Sequence, residues 1–182
     1  MQRNIPNILT SLRIVLIPIL VLAFYIDSKI AHYVAVSIFI FASITDYFDG
    51  LLARIWKVHS NFGKILDPIA DKLLIASTLM MMVDRNIAPV LPTLVILCRE
   101  ILVSGMREYL AELKVKISLP VNYLAKVKTS TQMIAIIILL LGEDTIIVPH
   151  INFIGKTLIW LAALLTVITG YKYLSQSIKY CK

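Results

Sequence analysis

Six apolar stretches, each close to the roughly 20 residues that cross a bilayer as a helix, are separated by short polar turns in this chain of 182 residues. They fall at about 8–26, 31–53, 62–83, 90–110, 121–141 and 151–174. Asp27-Ser28-Lys29, Asp84-Arg85-Asn86 and Gly142-Glu143-Asp144-Thr145 mark turns between them. Pro6, Pro89 and Pro149 fall at or just before segment starts, where a missing amide costs little. The hydrophobic share is 59% and the mean hydropathy +0.84, above the roughly 45–50% apolar content of a soluble domain. The expected architecture is therefore all-α: a polytopic membrane protein with six transmembrane helices. One membrane domain is expected over 1–182, with a short basic amino terminus at 1–7 and a basic tail at 175–182. Arg13 interrupts the first stretch and no small-residue cleavage site follows it, which argues against a signal peptide. Cys98 and Cys181 form no paired framework, and Cys98 reads as a packing residue.

Charge asymmetry sets the expected orientation. Arg3, Arg13, Arg54, Lys57, Lys64, Lys72, Arg107, Lys114, Lys116, Lys126, Lys128, Lys172, Lys179 and Lys182 collect on one side of this layout. Only Lys29, Arg85 and Lys156 fall on the other, beside Asp27, Asp84, Glu143 and Asp144. Both termini are thus expected in the cytoplasm. The net charge of +7 belongs to a face that meets anionic lipid headgroups, not to a nucleic-acid site.

Against this apolar background stands a run of acids: Asp46, Asp49, Gly50, Ala53 and Arg54, then Gly63, Asp67 and Asp71. The pattern is D-x-x-D-G-x-x-A-R, eight residues, then G-x-x-x-D-x-x-x-D. Ionisable groups within membrane segments are costly and are functional candidates by default. At about 100° per residue, Asp46, Asp49, Gly50 and Ala53 share one side of a helix, and Gly63, Asp67 and Asp71 share one side of the next. Arg13, Arg107, Lys126 and Lys128 reach a similar depth from other segments, which implies a polar cavity open to the cytoplasmic face. Carboxylates converging without compensating cations repel strongly. Hard divalent metals relieve this, and an oxygen-only donor set favours magnesium, calcium or manganese over zinc. Two ions about 4 Å apart would suit a phosphoryl displacement. The small residues leave room for a ligand at the backbone; helix packing is the alternative use of such residues.

The complete pattern from Asp46 to Asp71, with eight fixed positions, resembles the signature of the CDP-alcohol phosphotransferases. Asn4-Ile5-Pro6-Asn7-Ile8-Leu9-Thr10-Ser11-Leu12-Arg13 is similar to the amino terminus of the bacterial branch that makes phosphatidylglycerophosphate. Arg99-Glu100-Ile101-Leu102-Val103-Ser104-Gly105-Met106-Arg107-Glu108 and Lys126-Val127-Lys128-Thr129 resemble that branch's fourth and fifth helices.

The resemblance implies attack of glycerol 3-phosphate on CDP-diacylglycerol, releasing CMP, in phosphatidylglycerol and cardiolipin synthesis at a bacterial inner membrane. It implies two ions, Mg2+ or Mn2+, on Asp46, Asp49, Asp67 and Asp71, with Asp71 also the general base and Asp67 beside it in catalysis. Asp49, Gly50, Ala53, Arg54, Gly63, Asn7 and Thr10 would bind the donor. It also implies a homodimer among membrane phospholipids. The acceptor's phosphate needs cations, for which Arg107, Lys126 and Lys128 are candidates, with Arg99 and Arg13 behind them. Lys126 and Lys128 lie about 200° apart on a helix, so a regular helix cannot aim both inward. Arg99 and Glu100 sit deeper and read as a structural polar pair, with ligand contact by Arg99 the lesser alternative. Serine, inositol phosphate or another phospholipid remains open as acceptor. From other classes, a divalent-cation transporter and a structural membrane subunit are the competing readings. A transporter fits less well with acids at one face than with acids at the midplane.

Overall fold

The computed structural model describes residues 5–56, 61–112, 123–142 and 150–178; side chains are described for these except at 5–8, 47–56, 61–65, 67, 111–112, 123, 125 and 178. Six helices follow in order: α1 (Ile5–Tyr25), α2 (Lys29–Trp56), α3 (Asn61–Asp84), α4 (Val90–Glu112), α5 (Tyr123–Gly142) and α6 (Ile151–Ile178). No strand occurs among the described residues. Each helix coincides with one of the six apolar stretches. The ends differ: α1 begins at Ile5, α2 continues through Trp56 and α6 through Ile178. Hydropathy measures the bilayer-length apolar run, whereas backbone hydrogen bonding can carry a helix past either end of that run.

The contacts divide into two compact units, Met1–Arg85 and Asn86–Lys182. In the first, α1 packs against both α2 and α3. Leu20, Phe39, Ala42, Ala70, Leu79 and Met82 are fully buried there. Ser28 caps α2, its hydroxyl accepting from the Ile30 amide at 3.3 Å. Just past the carboxyl end of α3, the Arg85 guanidinium donates to the Phe24 carbonyl near the end of α1. Asn86 follows with φ of 58°, the left-handed conformation that ends helices and that Asn tolerates better than most residues.

In the second unit α6 is the shared element, packing against both α4 and α5. Glycines on α6 allow the approach. A Cβ at Gly155 would stand 2.7 Å from Leu139 Cδ2, and one at Gly170 would stand 2.9 Å from Arg99 Cγ. Ala135, Ile136, Leu139, Leu140, Ile159 and Ala162 complete this core.

The outward faces are apolar as well. Leu22, Ile30, Ile101, Phe153 and Tyr171 are among many large side chains left exposed. Hydroxyls within the helices turn back to their own backbone, as Ser43 does to Phe39 and Thr78 to Leu74. Among the described residues, Lys29–Asp46 and Ile151–Ser177 are long and apolar enough to cross a membrane.

Candidate active site

Three helices of the first unit deliver charge to one point. Arg13 on α1 lies with Nη1 3.1 Å from Oδ1 of Asp46 on α2. The same nitrogen donates to Oδ1 of Asp71 on α3. The Arg13 side chain is 1% exposed, whereas Asp46 and Asp71 keep 33% and 36%. The cation is therefore sealed into the helix packing and the acids face outward from it. Thr10, one turn before Arg13 on α1, is buried as well.

The charge balance differs from the expectation of carboxylates without a compensating cation. A buried guanidinium needs compensating partners, so the two acids stabilise its burial and are in turn held together by it. Depth along the helices places Arg13 behind Arg107, Lys126 and Lys128 as a cation for the acceptor's phosphate; in the structure its guanidinium meets Asp46 and Asp71. Helix depth was legible, but the direction of the side chain depends on how α1 packs.

The remaining signature residues lie on the same helices. Asp49, Gly50, Ala53 and Arg54 follow Asp46 along α2, and Gly63 and Asp67 precede Asp71 along α3. Their side-chain surroundings, and that of Asn7, lie outside the described residues. By register Asp49 is about one turn from Asp46, and Asp67 about one turn from Asp71. Among the described residues no three acids, histidines or cysteines gather as a ligand set. The described part nonetheless suits a divalent ion: carboxylate oxygens from two helices converge on a single cationic atom, which is the donor chemistry of magnesium or manganese.

A second polar cluster is built within the other unit. Arg99 and Glu100 are neighbours on α4, and Arg99 Nη1 lies 3.2 Å from Glu100 Oε1. Lys128 on α5 donates through Nζ to that same oxygen. Arg99 Nη2 donates to Thr169 Oγ1 on α6 at 3.2 Å. Gly170 gives the Arg99 stem its passage across α6. The Lys128 side chain is 6% exposed, against 17% for Arg99 and 25% for Glu100. Gln132 Nε2 and Thr166 Oγ1, about one turn from Lys128 and Thr169, are buried with no hydrogen-bond partner among the described residues.

The helical phase of the two lysines thus has an outcome: Lys128 turns inward and Lys126 is exposed. Arg107, two turns beyond Arg99 on α4, is exposed too. Thr169 and Gly170 were not singled out from sequence. The only available signal was a small pair within an apolar helix, which packing explains equally well.

Relatives carry the same architecture of sequence from end to end. A Rickettsia felis protein named CDP-diacylglycerol–glycerol-3-phosphate 3-phosphatidyltransferase is 47% identical over 179 residues, covering 98% of each chain. Its namesake in Rickettsia bellii is 46% identical with the same coverage. That of Sodalis glossinidius is 41% identical over 96% of this chain and 94% of its own. The family model for CDP-alcohol phosphatidyltransferases matches residues 3–168, which take in Arg13, Asp46 and Asp71 and, of the second cluster, Arg99, Glu100 and Lys128. With acids from two helices gathered on Arg13 and this match across the chain, the protein belongs to the CDP-alcohol phosphatidyltransferase family.

Proposed function

We propose that this protein transfers the phosphatidyl group of CDP-diacylglycerol to glycerol 3-phosphate, giving phosphatidylglycerophosphate and CMP. The observation that carries the reading is the complete eight-position signature in a chain 47% identical, end to end, to a relative named for this reaction. A hydroxyl oxygen of glycerol 3-phosphate attacks the phosphorus that bears diacylglycerol. The bond from that phosphorus to the bridging pyrophosphate oxygen breaks, and CMP leaves with the bonding pair. The hydroxyl proton passes to a base, for which Asp71 is our choice.

Two divalent ions, magnesium or manganese, would be held by Asp46, Asp49, Asp67 and Asp71 and would neutralise charge on the pyrophosphate and on the leaving group. Around them, Asn7, Thr10, Asp49, Gly50, Ala53, Arg54 and Gly63 receive the donor. The cations Arg99, Arg107, Lys126 and Lys128 receive the acceptor's phosphate. We assign Arg13 to the acids, on the strength of its contacts with Asp46 and Asp71.

A lipid donor and outward-facing apolar side chains on α1, α2, α4 and α6 support six spans in a bacterial cytoplasmic membrane. We place both termini and the acids at the cytoplasmic face, from the distribution of lysine and arginine, and infer a homodimer from the family.

Purified protein in detergent, given CDP-diacylglycerol and one acceptor at a time, tests the reading. CMP release is expected with glycerol 3-phosphate and at most traces with serine, inositol phosphate or phosphatidylglycerol. Preference for any of these would overturn the acceptor, and absence of CMP release with every acceptor would overturn the reaction.

A further inference from the structure

We infer that Glu100 is a positioning residue for the acceptor site: its carboxylate holds the Lys128 ammonium inward, toward Arg99, and so prepares a pair of cations for a phosphate. The inference rests on the reading that Lys128 and Arg99 serve the acceptor. One oxygen, Oε1 of Glu100, takes both Arg99 Nη1 and Lys128 Nζ. The two cations come from different helices, and like charges brought together at low exposure repel. Glu100 offsets one of the two charges and leaves the trio with a net positive charge, as an anion-binding site needs. It also supplies the geometric constraint that Lys128 lacks. A lysine is a point charge on a flexible stem, and Lys126, two positions earlier on α5, is exposed. Arg99 needs less help, since Thr169 already fixes its other terminal nitrogen. Glu100 is 25% exposed, so the cluster is accessible at this edge.

Acting through Lys128 has a signature that a purely structural role lacks. Glu100→Gln is expected to raise KM for glycerol 3-phosphate about 10-fold or more, the scale of a lost charged hydrogen bond. Its KM for CDP-diacylglycerol should stay at the wild-type value. Glu100→Asp, which keeps the charge but retracts it by one methylene, should show a smaller rise. It stands in if Glu100→Gln cannot be purified, and a wild-type KM there overturns the proposal. In the double variant Glu100→Gln/Lys128→Met, KM should match that of Lys128→Met alone, because coupled residues are not additive. Additive effects, or a KM for glycerol 3-phosphate that is unchanged or lower in Glu100→Gln, would overturn it. If Lys128→Met raises that KM while Glu100→Gln does not, only the positioning role fails. If Lys128→Met leaves it unchanged, the acceptor assignment fails together with the role built on it.

Discussion

Arg13 and Asp71, 58 positions apart, are joined through Nη1 and Oδ1, and this pairing ties α1 to α3 at the level where Asp46 arrives from α2. In this arrangement the guanidinium is the cation that the acids share. Arg13→Gln removes a buried charge from between two carboxylates and leaves them to repel. A lost charged hydrogen bond is worth about 1.5–3 kcal/mol, toward the low end here because both acids are partly exposed. The expected result is a lower Tm in detergent with chelator present, and a partial recovery on adding Mg2+ or Mn2+. Recovery follows because an ion that binds the folded acids stabilises by mass action. An unchanged Tm in chelator would show that Arg13 does not hold the acids.

Activity is expected to require a divalent ion, and Asp67→Asn is expected to abolish turnover while the protein remains folded and monodisperse. Asp67 precedes Asp71 by about one helical turn, on the same face of α3. If Asp67 is a ligand shared by two ions, its loss removes charge stabilisation of several kcal/mol in the transition state. Full turnover in excess chelator, or in Asp67→Asn, would sink the two-ion site.

Asp71→Asn is expected to separate chemistry from donor binding. A general base contributes about 10²–10⁴-fold, while Asp46 and its neighbours are expected to keep the donor in place. CDP-diacylglycerol affinity and turnover are measured side by side. Equal losses in both would make Asp71 chiefly a ligand and assign the proton to another group.

The six helices were legible because a bilayer-length apolar run leaves a strong signal, and the acids because they interrupt such runs in helical phase. What sequence could not supply was the direction of the cations. Depth along a helix follows from residue number, and it put Arg13, Arg107, Lys126 and Lys128 at one level. Whether each side chain turns inward depends on packing. Arg13 turns onto Asp46 and Asp71, and Lys128 onto Glu100, whereas Arg107 and Lys126 are exposed. Thr169 and Gly170 escaped notice for the same reason, since their contact with Arg99 exists only once α4 and α6 meet.

Glycines test the packing directly. Gly155→Ala places a Cβ 2.7 Å from Leu139 Cδ2, and Leu139 is fully buried. Overpacking of this kind costs about 1–3 kcal/mol, seen as a lower Tm. Gly105→Ala meets nothing within 4 Å and should be neutral or stabilising by up to about 1 kcal/mol, since alanine restricts the unfolded chain and favours the helix. Equal Tm values for the two variants would contradict the α5–α6 contact.

Arg107 provides the sharpest test of the acceptor. It is exposed on α4 and belongs to a different helix from the signature acids, so its loss should leave donor binding intact. A guanidinium can grip phosphate through two parallel hydrogen bonds. Losing a charged hydrogen bond costs about 1.5–3 kcal/mol, or about one to two decades in affinity. Arg107→Ala is therefore expected to raise KM for glycerol 3-phosphate by that factor, with KM for CDP-diacylglycerol nearly constant. Arg107→Lys should recover only part, because an ammonium lacks the planar fork. If Arg107→Ala weakens the donor alone, the acceptor's phosphate must sit elsewhere. Among the described residues, Arg99 and Lys128, both paired with Glu100, are then a second cationic cluster to examine.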